Sequence, residues 1–331
     1  MSSSRSPLTA DTVRAARTRI AADIVVTPTV FSEALSQATG ARVYLKLENL
    51  QHTGAFKARG ALAKITTLSD AQKKAGVVAM SAGNHAQGVA YHAGRLGIPA
   101  TIVMPKGTPF MKIRKTRDYG ATVVLEGETL VEASAFAENL AAEKGLTFIH
   151  PYNDPEVIAG QGTIGFEIID AVPDVDTIVV PIGGGGLIAG IALAAKAAKP
   201  NVDIVGVEPE LYPSMSNGLQ GRNRPCAGST IAEGIAVTKA GEVSLPIVRD
   251  HVRTVVTVTE TSLERAVAML ATRAKTVTEG AGAAPLAALL EYRDMFEGKI
   301  VVLVISGANV DARMLSSVLT LICMAVLPGK S

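Results

Sequence analysis

A lysine at position 57 is the residue of this sequence with the clearest potential for covalent chemistry. Lys57 follows Phe56 in the string Gly-Ala-Phe-Lys-Ala-Arg-Gly, at an expected helix start. Burial and the positive end of a helix both disfavour the ammonium form, so the pKa of this lysine is expected to fall toward the range in which its amine forms Schiff bases. A single lysine near a turn is more often a solvated surface charge, so Lys57 needs support from other residues.

Four consecutive glycines form a second chemical feature. Gly183, Gly184, Gly185 and Gly186 lie between an apolar run and an Ala-rich helical pattern that begins near Leu187. A backbone without Cβ atoms can take positive φ and approach an anion closely, and the helix adds its positive end. The glycines therefore predict a phosphate-binding loop, with an ordinary flexible turn as the alternative.

Composition limits the classes of partner. The 331 residues include 32 Lys and Arg against 30 Asp and Glu, so the net charge of +2 gives no bias toward nucleic acid or membrane surfaces. Cys226 and Cys323 are far apart and form no metal-binding pair, which argues against a disulfide framework and a structural zinc site. The first residues lack the apolar core of a signal peptide. We expect a cytoplasmic protein that binds a small molecule.

Short apolar runs that alternate with Ala-rich amphipathic segments predict a parallel α/β architecture. Two prolines in the stretch 150–155 favour extended backbone, so a domain boundary is expected near residue 150. The apolar tail Val318–Leu327 is half the length that would span a bilayer, and it predicts a buried or interfacial helix. The expected strands are Val77–Met80, Thr101–Met104, Thr122–Leu125, Ile178–Ile182, Ile204–Val207 and Ile300–Ile305.

The order of the motifs carries a family resemblance. Lys57 is followed by Ser-Ala-Gly-Asn-His at 81–85, Gly-Gln-Gly-Thr-Ile-Gly at 160–165, the four glycines, Thr-Glu-Gly-Ala-Gly at 278–282 and Ser-Gly-Ala-Asn at 306–309. Along almost its whole length the chain resembles the fold-type-II pyridoxal-phosphate enzymes, within them the short threonine dehydratase and serine racemase group. The resemblance implies a tryptophan-synthase-β-like fold of two open, mostly parallel sheets flanked by helices. It implies a large cofactor-binding domain from residues 1–53 and 151–331, with residues 54–150 inserted as a small domain.

The resemblance also implies roles for individual residues. Lys57 would bind pyridoxal 5'-phosphate as a Schiff base and act as the catalytic base, and the four glycines would bind the cofactor phosphate. Phe56 would lie beside the cofactor, Asn84 would bind its phenolic oxygen, and Ser306 would face its pyridine nitrogen. The remaining implied cofactor contacts are Gly234 and Glu279. The implied contacts of the substrate carboxylate are Ser81, Ala82, Gly83, Asn84 and His85.

A neutral Ser306 opposite the pyridine nitrogen favours elimination over transamination, because the ring is then a weaker electron sink. The expected activity is therefore that of a threonine dehydratase, which converts L-threonine to 2-oxobutanoate and ammonia, with L-serine as a second substrate. Serine racemases have a second serine at the position of Ala82, and a methyl group cannot donate a proton. A 3-hydroxyaspartate dehydratase would need a cation, and residues 126–132 contain no arginine.

Proteins of two different classes could share an α/β fold with glycine-rich loops. A catalytically silent ligand-binding regulator is one of them, although the retained Lys57 argues against it. A dinucleotide-dependent oxidoreductase would need a G-x-G-x-x-G motif followed by an acidic residue, and the sequence has no such combination. The chain ends soon after Ser306, so no appended regulatory domain and no feedback by isoleucine are expected.

A cation site and an oligomeric assembly are further expectations. Relatives often bind a cation beside the cofactor domain, and the sequence offers Glu208, Tyr212 and Ser214 for a monovalent or divalent ion, with a solvated loop as the alternative. The apolar content and the apolar C-terminal segment favour a homodimer or a homotetramer.

Overall fold

The computed structural model describes residues 8–326, with the side chains of residues 321–326 excepted. Within this range no helix is long and apolar enough to cross a membrane. Ten strands occur in the described chain, numbered in order β1 Thr29–Phe31, β2 Arg42–Lys46, β3 Val77–Met80, β4 Ala100–Met104, β5 Thr122–Leu125, β6 Thr147–Phe148, β7 Thr177–Pro181, β8 Asp203–Pro209, β9 Thr254–Val258 and β10 Ile300–Val304.

The strands form two sheets. The larger sheet has the order β1-β2-β10-β7-β8-β9, and the smaller has the order β5-β4-β3-β6. Only the pair of β1 and β2 is antiparallel in these sheets, so the fold class expected from the sequence is confirmed. The central parallel strands β7, β8 and β10 of the larger sheet are almost entirely buried, which explains their apolar runs.

Helices cover both sheets. Those of the described residues are α1 Ala10–Ile20, α2 Glu33–Thr39, α3 Lys57–Ile65, α4 Asp70–Ala75, α5 Asn84–Arg95, α6 Phe110–Asp118, α7 Leu130–Lys144, α8 Pro155–Ala171, α9 Gly186–Ala198, α10 Ser214–Gln220, α11 Ser244–His251, α12 Glu260–Thr272, α13 Gly280–Glu291, α14 Arg293–Phe296 and α15 Ala312–Val326. Short 3₁₀ helices span Glu48–Leu50, His52–Gly54 and Glu233–Ile235.

The six expected strands are present as β3, β4, β5, β7, β8 and β10, within two residues at each end, whereas β1, β2, β6 and β9 were not among the expected strands. Strand β8 extends to Pro209 because Glu208 and Pro209 pair with Thr257 and Val258 of the edge strand β9. The expected C-terminal helix is present as α15, in which Val318 is buried. Leu319 packs partly buried against the same core. The side chains of residues 321–326 are not described, and Leu327 lies outside the described residues.

Helix α3 packs closely against α8 and α5. A Cβ added at Gly60 would lie 2.8 Å from the carbonyl oxygen of Val157 in α8, and one at Gly160 would lie 2.7 Å from the carbonyl oxygen of Arg59. A Cβ at Gly88 of α5 would lie 3.1 Å from the backbone nitrogen of Ala58. Glycine lets these helices approach backbone to backbone, which fixes the start of α3 between them. The domain bounds at residues 54 and 150 stay a prediction.

Candidate active site

The sequence-predicted residues meet at the carboxyl ends of the parallel strands, where open α/β sheets bind ligands. The glycine loop follows β7, Ser306 follows β10, and these strands are neighbours in the larger sheet. Residues 81–83 follow β3 of the smaller sheet. The two sheets therefore present their loops to one shared cleft.

Lys57 is the first residue of α3 and extends its amine into this cleft. Its Nζ donates a hydrogen bond to the carbonyl oxygen of Pro151 at 2.7 Å and lies 5.2 Å from the ring centre of Phe56. Burial lowers the pKa of Lys57 to about 8, and the nearby Glu279 carboxylate acts in the opposite direction. No carboxylate forms a salt bridge with Lys57 within the described residues. Roughly a tenth of the amine is thus unprotonated and nucleophilic at pH 7, far more than for an ordinary lysine.

The lowered pKa leads to a testable pH dependence. In protein stripped of any carbonyl ligand, we expect the labelling of Lys57 by an amine-reactive reagent to rise with pH and to reach half its maximum near pH 8. An unperturbed lysine would reach it at about pH 10.4. The Glu279→Gln variant removes a charge that favours the ammonium, so its midpoint should lie lower than that of the wild type. Peptide mass spectrometry of samples labelled across this pH range provides the measurement, and a midpoint near that of surface lysines would contradict the assignment.

The backbone joins the Lys57 segment to the Ser306 segment. The N–H of Phe56 donates to the carbonyl oxygen of Ser306 at 3.1 Å, and Ala55 forms an antiparallel bridge with Gly307. Ser306 is buried, with 2% of its surface exposed. The hydroxyl of Ser306 and the amine of Lys57 are therefore held in one backbone frame.

Glu279 and two asparagines form a polar network on the same side of the cleft. Asn84 Nδ2 donates to Glu279 Oε1 at 2.7 Å, and Asn309 Nδ2 donates to Asn84 Oδ1 at 2.8 Å. Burial raises the pKa of Glu279 to about 7, although the hydrogen bonds from Asn84 and Asn309 oppose this. A Cβ at Gly234 would lie 3.2 Å from Glu279 Oε1, which accounts for glycine there. One N–H of Asn84 remains available for a ligand.

The glycine loop forms a concave turn in which side chains have no room. A Cβ added at Gly184 would collide with the ring of Tyr152, and one at Gly186 would lie 2.9 Å from the carbonyl oxygen of Tyr152. Gly185 has φ +91°, which favours glycine, and a Cβ at Gly183 would lie 3.0 Å from Val237 Cγ2.

Helix α9 begins at Gly186, so its first N–H groups have no intrahelical partner. Free N–H groups, glycine geometry and a helix N-terminus together fit a phosphate group. With the amine of Lys57 and the neutral hydroxyl of Ser306 in the same cleft, the residues present fit pyridoxal phosphate.

The residues expected to receive the substrate carboxylate form the turn into α5. Ser81 Oγ accepts a hydrogen bond from the N–H of Gly83 at 3.1 Å, and α5 begins at Asn84 without a side-chain cap. The imidazole of His85 is turned into the protein, where its Nε2 lies 2.9 Å from the carbonyl oxygen of Ile149. Burial lowers the pKa of His85 to about 3, so this ring is neutral. His85 therefore offers its backbone N–H to the cleft, beside that of Asn84.

The expected cation ligands lie at and after the carboxyl end of β8, the neighbour of the strand β7 that precedes the glycine loop. Glu208 is fully buried, and its two carboxylate oxygens accept the N–H groups of Met215 at 2.6 Å and Ser216 at 3.0 Å. The hydroxyl of Tyr212 donates to the carbonyl oxygen of Gly228 at 2.8 Å. Ser214 is buried, and its Oγ has no hydrogen-bond partner among the described residues. The same part of the chain contains no group of three or more His, Cys, Asp or Glu that could hold a metal ion. The cation stays a prediction.

A thermal shift experiment tests that prediction. A cation bound through Glu208 at tenfold excess over its Kd would stabilise the folded chain by about 1.4 kcal/mol and raise Tm by roughly 2–4 °C. Glu208→Gln would abolish the gain and would also lower Tm, because an amide NH₂ repels the N–H groups of α10. Melting curves with sodium, potassium and magnesium chloride at equal ionic strength provide the measurement. An unchanged wild-type Tm in every salt would rule the site out.

Sequence reasoning missed three contributors to the cleft. Pro151 supplies the acceptor for Lys57, Tyr152 packs over the glycine loop, and Asn309 holds Asn84 in place. His150 Nδ1 accepts the N–H groups of Tyr152 and Asn153, which fixes that ring as a neutral tautomer. The prolines of the stretch 150–155 indicate only a crossover between domains. Tyr152 and Asn153 lie between these prolines, and their side chains could have indicated a binding site.

Comparisons with known proteins agree with this geometry. The chain is 50% identical over 295 residues to an L-threonine ammonia-lyase of Thermotoga maritima, covering 88% of this chain and 73% of that protein. A crystal structure of the T.th. threonine deaminase superimposes with a TM-score of 0.86 at 42% identity and covers 91% of this chain and 98% of its own. The structure of maize serine racemase has a TM-score of 0.89 at 35% identity, with coverages of 97% and 99%. Residues 20–307 match the family model for pyridoxal-phosphate dependent enzymes, and the chain belongs to that family.

Proposed function

We propose that this protein is a pyridoxal-phosphate-dependent L-threonine ammonia-lyase that releases 2-oxobutanoate and ammonia and also accepts L-serine. The observation that carries the proposal is the amine of Lys57, whose pKa is lowered to about 8, in one cleft with a phosphate-sized glycine loop and a neutral serine. The similarity to the L-threonine ammonia-lyase of Thermotoga maritima supports the substrate. The reaction is that of a carbon–nitrogen lyase.

The residues of the cleft divide the binding of the cofactor. The N–H groups from Gly183 to Gly186 would bind the phosphate, and Asn84 would donate its remaining N–H to the ring substituent. Gly234 and Glu279 would border the ring, and Phe56 would cover it. Pyridoxal phosphate, when bound, supplies the electron sink that makes removal of an α-proton possible.

Lys57 is proposed to move the proton. An amine with a pKa near 8 can accept the α-proton of the substrate at Nζ and lose it again at neutral pH. Both imidazoles that interact with Lys57, those of His85 and His150, have lowered pKa values and are neutral, which leaves the amine as the strongest base nearby. The β-hydroxyl takes up a proton and leaves as water, and one water then hydrolyses the released enamine, by way of its imine tautomer, to 2-oxobutanoate and ammonia.

Ser306 is proposed to select elimination. Its hydroxyl carries no charge, so it does not stabilise a protonated pyridine nitrogen as a carboxylate would. Accumulated negative charge on the substrate is then relieved by expelling the β-hydroxyl. Transamination is correspondingly disfavoured.

The charges around the cleft favour a substrate with a single carboxylate. The N–H groups at the start of α5 would bind that group, with Ser81, Ala82 and Gly83 shaping the turn. Lys112 pairs with Glu233 at 2.7 Å, and Lys106 pairs with Glu126 at 3.3 Å. These two lysines are already matched by carboxylates, so neither is free to bind the second carboxylate of 3-hydroxyaspartate. Threonine and serine differ by one methyl group, a preference of about 1–3 kcal/mol.

Purified protein reconstituted with pyridoxal phosphate tests the proposal. We expect a visible absorbance band from the lysine-bound cofactor, and 2-oxobutanoate released from L-threonine in a coupled assay. If the band appears but no 2-oxobutanoate is released from threonine, L-serine and 3-hydroxyaspartate would be tested next, and racemisation would be measured. Absence of the band after reconstitution would contradict the role of Lys57.

Ala82 provides a test of the racemase alternative. Racemisation needs a proton donor on the face opposite Lys57, and a methyl group cannot supply it. We expect the wild type to form no D-serine from L-serine. Ala82→Ser should introduce measurable D-serine while β-elimination continues, as followed by chiral chromatography. The Ala82→Gly variant is the control, because it changes the size of the residue without adding a proton donor.

The assembly and location of the protein are also proposals. Exposed apolar side chains on the first strand and the neighbouring loops, among them Val26, Phe31 and Leu50, support a homodimer or homotetramer. The sequence has two cysteines far apart and therefore no disulfide framework, which supports a location in the reducing cytoplasm. Light scattering during size-exclusion chromatography would distinguish the assemblies.

A further inference from the structure

Four charged side chains form a buried cluster behind the helix that carries Lys57. Arg59 and Glu48 are 0% exposed, Lys46 is 1% exposed and Glu167 is 6% exposed. They come from three parts of the fold, namely β2 with the 3₁₀ helix after it, α3 and α8. Two positive and two negative charges make the cluster neutral.

Arg59 is the centre of this cluster. Its Nε and Nη2 donate to the two oxygens of Glu48, both at 2.8 Å. Its Nη1 and Nη2 donate to the two oxygens of Glu167 at 2.6 and 2.8 Å, and Nη1 also donates to Thr163 Oγ1 at 3.1 Å. Lys46 Nζ donates to Glu167 Oε2 at 2.5 Å. One guanidinium is thus held by two bidentate pairs, a geometry that a lysine cannot reproduce.

Stability does not explain this arrangement. Removing four charges from water is costly, and well-packed apolar residues in place of buried ion pairs often leave a protein equally or more stable. Burial alone would lower the pKa of Arg59, but the charges and hydrogen bonds of Glu48 and Glu167 outweigh burial and raise it. The cluster therefore stays charged and directional. Its hydrogen bonds hold the end of β2, helix α3 and helix α8 in a fixed relative position.

The cluster can fix the position of Lys57 because Arg59 and Lys57 lie in the same turn of α3. Arg59 lies two residues after Lys57, which is about 200° around a helix, so the two side chains project to opposite sides. A second contact joins α3 to α8, a hydrogen bond from the N–H of Gly60 to Gln161 Oε1 at 3.1 Å. The first turn of α3 is thus fastened by Arg59 on the side opposite Lys57, while the amine of Lys57 is held by one hydrogen bond to the uncharged carbonyl oxygen of Pro151.

We propose that Arg59, held by Glu48, Glu167 and Lys46, is a positioning residue for Lys57, which rests on the proposed function in that the reaction uses this amine repeatedly. The amine must leave its ligand and return to the same point in every cycle. A fixed first turn of α3 keeps its effective concentration at that point high. A misplaced Lys57 would still bind the cofactor, but its amine would return to the cofactor more slowly after each turnover.

The test compares two variants of the full-length holoenzyme. Arg59→Lys keeps the charge and loses both bidentate pairs. Ile168→Ala is the control. Ile168 follows Glu167 in α8 but belongs to a hydrophobic core cluster, so this variant opens a cavity and destabilises the fold without removing a contact of Arg59. Thr163→Val is a milder variant that removes one hydrogen bond to Arg59 and covers the case in which Arg59→Lys fails to fold.

Two readouts separate positioning from folding. The first is the rate at which hydroxylamine removes the cofactor from Lys57, seen as the loss of visible absorbance. We expect Arg59→Lys to accelerate this removal by about 5-fold, because re-attack by the lysine competes less well. The second is turnover of L-threonine, where kcat should fall roughly 10-fold or more with little change in KM. Thr163→Val should shift both in the same direction by about 2-fold.

The control decides the interpretation. Ile168→Ala should lower Tm while leaving the hydroxylamine rate and kcat near those of the wild type at temperatures well below Tm. Equal effects of Ile168→Ala and Arg59→Lys on the hydroxylamine rate would overturn the proposal, as would a wild-type rate in both Arg59→Lys and Thr163→Val. The hydroxylamine readout does not involve threonine, so a failure of the proposed substrate would leave this result interpretable.

Discussion

Replacing Lys57 with alanine is expected to abolish the visible absorbance of bound pyridoxal phosphate and to lower threonine turnover by about 10³-fold. The physical reason is that the cleft, as far as the structure describes it, contains no second amine that could replace it, since Lys112 is paired with Glu233 at 2.7 Å and the neighbouring imidazoles are neutral. The measurement is an absorbance spectrum followed by the coupled assay for 2-oxobutanoate in the same sample.

The control for this experiment is Lys64→Ala on the same helix. Lys64 lies two turns further along α3 than Lys57 and pairs with Asp154 at 2.7 Å. We expect this variant to keep the absorbance band and most of the turnover. Retention of both properties by Lys57→Ala would refute the assignment of Lys57.

Replacing Gly184 with alanine is expected to weaken the binding of pyridoxal phosphate by about 10- to 100-fold. The added Cβ would collide with the ring of Tyr152 near its attachment point, so the loop or the ring must move. Overpacking of this kind costs about 1–3 kcal/mol, and each ~1.4 kcal/mol is a factor of ten in a dissociation constant. Titration of cofactor into stripped protein, followed by absorbance, measures the change.

Gly107 offers a matched substitution outside the cleft. A Cβ at Gly107 meets nothing within 4 Å, so Gly107→Ala should bind the cofactor as the wild type does. Equal affinities of the Gly184→Ala and Gly107→Ala variants would show that the glycine loop does not hold the phosphate. A fall in Tm without a change in affinity would indicate that Gly184 serves only to accommodate Tyr152.

Features that depend on local pattern could be predicted from the sequence. Short apolar runs predicted the strands β3 and β5 at their observed bounds. Burial explains the run in β3, whereas the edge strand β5 is half-buried or exposed along its length. The four glycines predicted the loop before α9, because they combine steric freedom with a helix start. Lys57 was identified from its neighbours and from the order of the motifs.

Contacts across long stretches of the chain could not be read from local pattern. Lys57 and Pro151 are separated by 94 positions, and Asn84 and Asn309 by 225. A backbone carbonyl has the same chemistry at every residue, so nothing in the sequence distinguishes the oxygen of Pro151. The burial of Arg59 could not be predicted for a related reason, since an arginine is usually exposed and its carboxylate partners lie on other elements.

The resting contact of Lys57 has a consequence for how its environment responds to solution conditions. A peptide carbonyl neither titrates nor attracts counter-ions, so the oxygen of Pro151 accepts the amine in the same way in dilute buffer and in concentrated salt. A carboxylate in that place would hold the amine more tightly at low ionic strength and release it as acid or salt increased. The free lysine is thus held by a neutral group, and breaking this hydrogen bond involves no partner charge that salt could screen.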